Sequence, residues 1–253
     1  MYPILQFDPD PKAILNPSLN HIREKLPPHV VLCFFQEIIR KQVEEGRLRE
    51  IGFMASEIGV NPIYLYEQGS KPVAVVHPGV CASLAAGFLE ELISGGGKRF
   101  VACGGCGVLN RDIATGHILL VESAIRDEGT SYHYLPPAPE VRSTPYALAT
   151  LEGYLERKKV DYLRVKTWTT DGIYRETAAK RDQRKAEGCL AVEMEAAAFF
   201  AVAHFRGVEF GQFIYAGDLV VPEGWDRRDW HDRSEDRRFL YELALEACQE
   251  MDA

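Results

Sequence analysis

The sequence contains no apolar run approaching the ~18 residues needed to cross a bilayer, so a membrane-spanning role is not expected. Its opening residues, Met-Tyr-Pro-Ile-Leu-Gln-Phe-Asp-Pro-Asp, lack the basic start and small-residue cleavage site of a secretory signal. It has no surplus of positive charge. There are 29 Lys and Arg against 37 Asp and Glu, a formal net charge of -8. That balance argues against broad affinity for nucleic acid or membrane surfaces. Six cysteines scattered over 253 residues make no disulfide framework and fit free thiols in a reducing cytoplasm. One pair, Cys103-Gly-Gly-Cys106, has C-x-x-C spacing. No second such pair and no nearby His pair complete a structural zinc site. Internal repeats, low-complexity stretches and a domain boundary are also missing. The expectation is a single domain over residues 1–253, large enough for a full core and located in the cytoplasm.

What is present reads as an α/β chain. Residues 1–29 form a proline-rich irregular arm. Val30–Glu45 has helical spacing, with Gly46 as its stop and Arg47 and Arg49 beyond. Ile63–Glu67 and Pro72–His77 read as strands joined by a hairpin-like turn. Pro78-Gly79-Val80 then opens a helix to about Ile93. Strand, glycine turn and helix make the βα unit of a mostly parallel sheet. Arg99–Cys103 is the next strand and runs into Gly104-Gly105-Cys106-Gly107. Three glycines in four residues suit a turn whose N–H groups face inward as an anion nest, or simply a tight turn. Further strands are expected at His117–Glu122 and Val160–Thr167. Helices are expected from Pro145 to about Lys159, up to Glu187, and over 235–251.

The chain is organised around a stretch read as one buried helix, Leu190–Arg206, between Gly188 and Gly207. Glu193 and Glu195 lie inside its apolar run. Residues two apart on a helix face different ways, so the pair does not share one task. A buried carboxylate is costly without a partner. Either one Glu caps backbone groups and the other meets an Arg, or a carboxylate accepts from a vicinal diol. The next strand, Val208–Val221, is read as ending at Ala216-Gly217-Asp218. Ligands in open α/β sheets bind beyond the carboxyl ends of the strands, which makes Asp218 a candidate catalytic acid. The alternative is a turn-forming Asp.

Val192-Glu193-Met194-Glu195-Ala196, followed by a strand ending in Gly-Asp, resembles the signature of the nucleoside phosphorylase family. That family includes uridine phosphorylases, hexameric purine nucleoside phosphorylases and methylthioadenosine nucleosidases. The resemblance implies one α/β domain whose central mixed, mostly parallel twisted sheet is flanked by helices. It implies that Glu195 holds the ribose 2′- and 3′-hydroxyls, with Met194 against the sugar and Glu193 beside them. Asp218 would serve the base as a protonated acid, helped by Arg227 or Arg228. Tyr174 and Arg175 would line the base pocket, with Arg175-Glu176-Thr177 either touching the base or opening the next helix. Gly79, Gly104 and Gly105 would bind phosphate, and Arg49 would reach a neighbouring subunit's phosphate site.

The implied reaction is phosphate-dependent cleavage of the N-glycosidic bond of a uridine- or purine-type nucleoside. Its products are free base and ribose 1-phosphate. It needs inorganic phosphate as co-substrate and no cofactor or metal, and it runs in a homo-oligomer between dimer and hexamer. Two departures stand out. Gly105 replaces the family's phosphate-binding hydroxyl, and Ala102 replaces its Arg. In place of the family's N-terminal Gly-Asp-Pro-x-Arg turn, Asn16–Asn20 offers no Arg. These gaps leave open a nucleosidase, with water as nucleophile, or a nucleoside-binding protein without turnover.

Overall fold

The structure is a computed structural model. It describes residues 2–252, so the first and last residues of the expected 1–253 domain lie outside the described residues. In chain order the elements are β1 (His21–Ile22), β2 (His29–Cys33), α1 (Gln36–Glu44), β3 (Arg49–Ser56), β4 (Gly59–Tyr66), β5 (Val73–Val76), α2 (Ala82–Ser94), β6 (Arg99–Val108) and β7 (Ile118–Asp127). There follow β8 (Glu140–Arg142), α3 (Pro145–Lys158), β9 (Tyr162–Thr170), α4 (Ala178–Ala186), β10 (Cys189–Glu193), α5 (Ala196–Arg206), β11 (Glu209–Val221), β12 (Gly224–Asp226) and α6 (Ser234–Glu250).

All twelve strands join one sheet, ordered β1-β3-β4-β5-β2-β6-β10-β9-β7-β11-β12, with β8 on β7. The expected mixed α/β sheet is therefore present. Its longest ladders, β6 with β11 and β7 with β9, are parallel. Antiparallel pairing enters at the β3–β4–β5 meander and where β10 meets β6 and β11 meets β7. Because β6 also pairs with β11, the strands β6, β10, β9, β7 and β11 close into a ring. The strands β1 to β5 extend from it as an open wing.

Two expected helices begin too early in the sequence reading. Val30–Cys33 belongs to β2, whose five residues are all buried, and α1 starts only at Gln36. Likewise Cys189–Glu193 is a strand, and α5 starts at Ala196. The cause is the same in both places. A strand buried on both faces is a continuous apolar run, and periodicity cannot separate it from the buried helix it leads into. Helix α5 is buried from Ala196 to Ala203 and packs on α2. Its Phe199 stacks on Phe210 of β11 at 4.8 Å between centroids. Burying one such ring contributes about 1.5–3 kcal/mol. Helices α1, α3 and α6 cover the other face through Ile38, Leu151, Tyr154, Leu240 and Ala244. No helix among the described residues is long and apolar enough to cross a membrane.

Candidate active site

The ring and the wing meet along one edge of β6. Strand β2 pairs with β6 up to Cys33 opposite Cys103. Strand β10 arrives from the other end and pairs only at Gly107 and Val108. Residues 104–106 therefore pair with β11 but have no strand neighbour among the described residues on their other edge. The carboxyl ends of β2 and β10 both point into this gap, as at the switch point of an open sheet, where ligands bind.

This geometry corrects the expected anion nest. Gly104 and Gly105 lie within β6, not in a turn, and neither has a positive φ. Their lack of a side chain makes room for rings. A Cβ on Gly104 would stand 2.9 Å from the Phe34 ring, and one on Gly105 would stand 3.1 Å from Tyr215. Cys103 and Cys106, three apart on a strand, fall in different core clusters as free thiols and form no redox pair. The first core strand exits at Phe34-Phe35, whereas Asn16–Asn20 lies on the outlying arm before β1.

At the end of β10 the two glutamates divide their tasks. Glu193 is 8% exposed and spent entirely on protein donors. Its Oε2 accepts from the N–H groups of Glu195 at 2.8 Å and Ala196 at 2.7 Å, and its Oε1 accepts from the Thr169 hydroxyl at 2.6 Å. It caps the start of α5 from the preceding strand, where the helix dipole favours negative charge. Burial pushes its carboxyl above the ordinary range, against the pull of these bonds. The assignment of Glu193 to the sugar is therefore corrected, because its lone pairs are already occupied.

Glu195 is equally buried, at 6% exposure. Its Oε1 accepts from the Cys81 N–H at 2.6 Å, and it forms no ion pair among the described residues. It stands at the N-termini of two helices, as N-cap of α5 and opposite Cys81, the N-cap of α2. Burial and then the charge of Glu193 push its carboxyl up to about 8. Cys81 has φ 74° and ψ 147°, a conformation nearly confined to glycine. Gly79 shapes the loop that delivers Cys81. It has φ +78°, and a Cβ there would meet Leu84 at 2.6 Å. Met194, half-buried, completes the turn between the two glutamates.

Asp218 lies in β11 itself, at an irregularity between Ala216 and Leu219, so the strand does not end there. Its Oδ2 accepts from the Trp225 indole at 2.6 Å, and Arg227 stands over the Trp225 ring at 5.9 Å. The support expected from an Arg thus comes directly from Trp225. Arg228 instead donates to the carbonyl of Ile113. The structure also singles out Glu176, a half-buried group that the sequence offered only within Arg175-Glu176-Thr177. Burial and then the charge of Asp218 push its carboxyl up to about 7. It makes no hydrogen bond or ion pair with the described residues. Its neighbours behave differently. Tyr174 is 95% exposed and Arg175 is also exposed, both in a one-turn 3-10 helix (Ile173–Arg175). Within this chain neither covers the crevice. Only an acidic residue in the segment marked Glu176, and nothing in its pattern showed which side chain turns inward.

Arg49 is also outside the crevice. It sits on β3, separated from β6 by β4, β5 and β2, and pairs with Glu24 at 2.5 Å and Glu67 at 3.5 Å. Among the described residues no group of three His, Cys, Asp or Glu is placed to hold a metal ion.

Comparison with known proteins extends this picture. A family model described as the phosphorylase superfamily matches residues 28–251. A guanosine phosphorylase of Halorubrum lacusprofundi is 31% identical over 154 residues, which is 59% of this chain and 62% of that protein. A uridine phosphorylase of Treponema pallidum is 30% identical over 172 residues, 62% of this chain and 67% of that protein. The match thus spans about 62% of the first relative's length. The crystal structure of an AMP nucleosidase from Bacteroides thetaiotaomicron has the same fold, with a TM-score of 0.70 at 22% identity over 88% of this chain and 87% of that one.

Proposed function

This chain belongs to the phosphorylase superfamily, and from that premise we propose that it is a pentosyltransferase that cleaves the N-glycosidic bond of a ribonucleoside. The observation that carries the reading is Glu195. It is a buried carboxylate with no cation partner among the described residues, at two helix N-termini and just past the end of β10 that points into the gap. Such a group suits the 2′- and 3′-hydroxyls of a ribose, one hydrogen bond to each oxygen. Holding the diol aligns the anomeric carbon with its nucleophile. Met194 lies along the sugar. Asp218 and Glu176 face the base, and Arg227 supports them through Trp225.

As the C1′–N bond loosens, the sugar gains oxocarbenium character and the base gains negative charge. The carboxyl pair supplies the proton, carried on Glu176 while Asp218 is anchored by the Trp225 indole. Two carboxyl groups also suit a base edge that presents N–H donors, which favours a 6-oxopurine. The name of the Halorubrum lacusprofundi relative points the same way.

Inorganic phosphate is the proposed nucleophile, giving ribose 1-phosphate and free base without a metal or organic cofactor. Water is the second reading. It is favoured by Phe34 over Gly104 and by a β6 edge that carries no cation of its own. Release of free base from a nucleoside panel, with and without phosphate, separates the cases. Phosphate-dependent release supports phosphorolysis, phosphate-independent release supports hydrolysis, and no release at all leaves a binding protein. A homo-oligomer is part of the proposal. In it Arg49, or the exposed Tyr174 and Arg175, would serve a neighbouring copy's site.

Two predictions concern proton placement. Glu195 must be ionised to accept from both hydroxyls, so kcat/KM for nucleoside should rise with pH toward about 8. Glu176 must be protonated to give its proton, so the rate should fall as pH passes about 7. The expected profile is a bell with its maximum between these values, reporting the coupled groups together. A flat profile from pH 6 to 9 would remove both roles. Glu176→Gln should lower kcat by roughly 10²-fold with little change in nucleoside KM, and should abolish the alkaline limb. If the variant keeps that limb, the proton belongs elsewhere.

A further inference from the structure

The positive charge missing from the unpaired stretch of β6 is present on α6. Arg237 is 9% exposed. Its guanidinium carbon lies 5.4, 5.9 and 5.3 Å from the ring centroids of Phe35, Tyr215 and Trp230. Nε donates to the Tyr215 hydroxyl at 3.1 Å, Nη2 to the Trp230 carbonyl at 3.2 Å, and Nη1 to Glu37 Oε1 at 2.6 Å. Burial works against its charge, but the bonds to Glu37 and Tyr215 outweigh it and hold the guanidinium protonated. The same Tyr215 ring lies against the exposed face of Gly105, where a Cβ would come 3.4 Å from the hydroxyl. The bond from Arg237 to that hydroxyl therefore places the guanidinium beside the unpaired stretch of β6.

The only carboxylate on Arg237 among the described residues is also the most replaceable partner it has. Glu37 follows the β2 exit by four residues in α1, and its side chain is 48% exposed, against 11% for Arg237. It can swing into water by side-chain rotation alone, while the rings keep Arg237 in place. A guanidinium presents five N–H groups in a planar fork, and only three are engaged by the described residues. That fork matches the oxygens of a tetrahedral anion.

We propose that Arg237 is the phosphate-binding cation of this crevice, positioned by Tyr215, and that Glu37 is a resident counter-ion which inorganic phosphate displaces. The proposal rests on the phosphorolytic reading above. It places a charge on the last helix of the same chain, where the unpaired stretch of β6 has none.

The test uses the intact chain, with inorganic phosphate as the probe at constant ionic strength. Binding is read by calorimetry, and KM for phosphate and for nucleoside by base release. Arg237→Lys keeps the charge but loses the fork, and should weaken phosphate binding about tenfold or more while nucleoside KM moves far less. Glu37→Gln removes the competitor and should tighten phosphate binding by roughly threefold or more. That second, half-exposed site decides the matter if the Lys variant does not fold. Unchanged or weaker phosphate binding in Glu37→Gln, wild-type binding in a folded Arg237→Lys, or no phosphate binding by the wild type overturns the proposal. Base release that ignores phosphate, with phosphate binding still governed by Arg237 and Glu37, would overturn the phosphorolytic reading and leave the anion site standing.

Discussion

Glu195→Gln is expected to lower kcat/KM for nucleoside by about 10²–10³-fold, the loss of one or two charge-assisted hydrogen bonds to the sugar. The amide keeps one acceptor oxygen, and the Cys81 N–H at 2.6 Å claims it. The remaining NH2 can only donate, so a hydroxyl of the diol would meet a donor. The same change should stabilise the fold at alkaline pH. The folded chain holds the Glu195 proton up to about 8, whereas an unfolded Glu releases it near the ordinary 4.5. The folded state thus binds more protons between these values. The contribution to stability is complete below 4.5 and is lost as pH rises through about 8. Thermal melts at pH 5 and pH 9 should show the variant gaining on wild type by a few kcal/mol at the higher pH only. Near-normal turnover with no such gain would mean that the carboxylate neither grips a sugar nor carries strain.

The second large effect belongs to its neighbour and has the opposite sign. Glu193→Ala should cost about 3–4 kcal/mol and lower the melting temperature by roughly 10 °C. It strands the N–H groups of Glu195 and Ala196 and the Thr169 hydroxyl in a buried setting. Thr169 also accepts from the Ala197 N–H at 3.0 Å, so the whole entry to α5 loosens. Glu195 sits on that entry, and activity should fall with stability. Glu193→Gln restores an acceptor and should recover part of both. An alanine variant that melts within 2 °C of wild type, well inside the expected ~10 °C, would show that the cap is dispensable.

These two residues show how far the sequence could be read. The Met-Glu pair and the Gly-Asp of β11 were legible because together they resemble a family signature, although neither sits where the element bounds were expected. Their division of labour was not legible. With residues 190–195 read as helix, Glu193 and Glu195 pointed to different faces of one cylinder. In the structure they flank a strand-to-helix turn, and one bonds the backbone of the other. The run of glycines in β6 was misleading for a related reason. Missing side chains signal either a turn or room for a neighbour, and here the neighbours are Phe34 and Tyr215, distant in sequence. Trp225 was invisible as the donor to Asp218, and Glu176 as a carboxyl within reach of its charge, because neither pairing follows from a sequence pattern.

The closed ring of five strands leaves the sheet with few open ends. What stays at the rim is short except at β3: β1 has two residues and pairs only Gly52 and Phe53 of that strand, while β8 and β12 have three residues each. Such edges are poor templates for strand addition. Strand addition between copies of this chain should therefore be confined to the outer edge of β3, and the remaining rim should resist edge-to-edge aggregation even when the protein is concentrated.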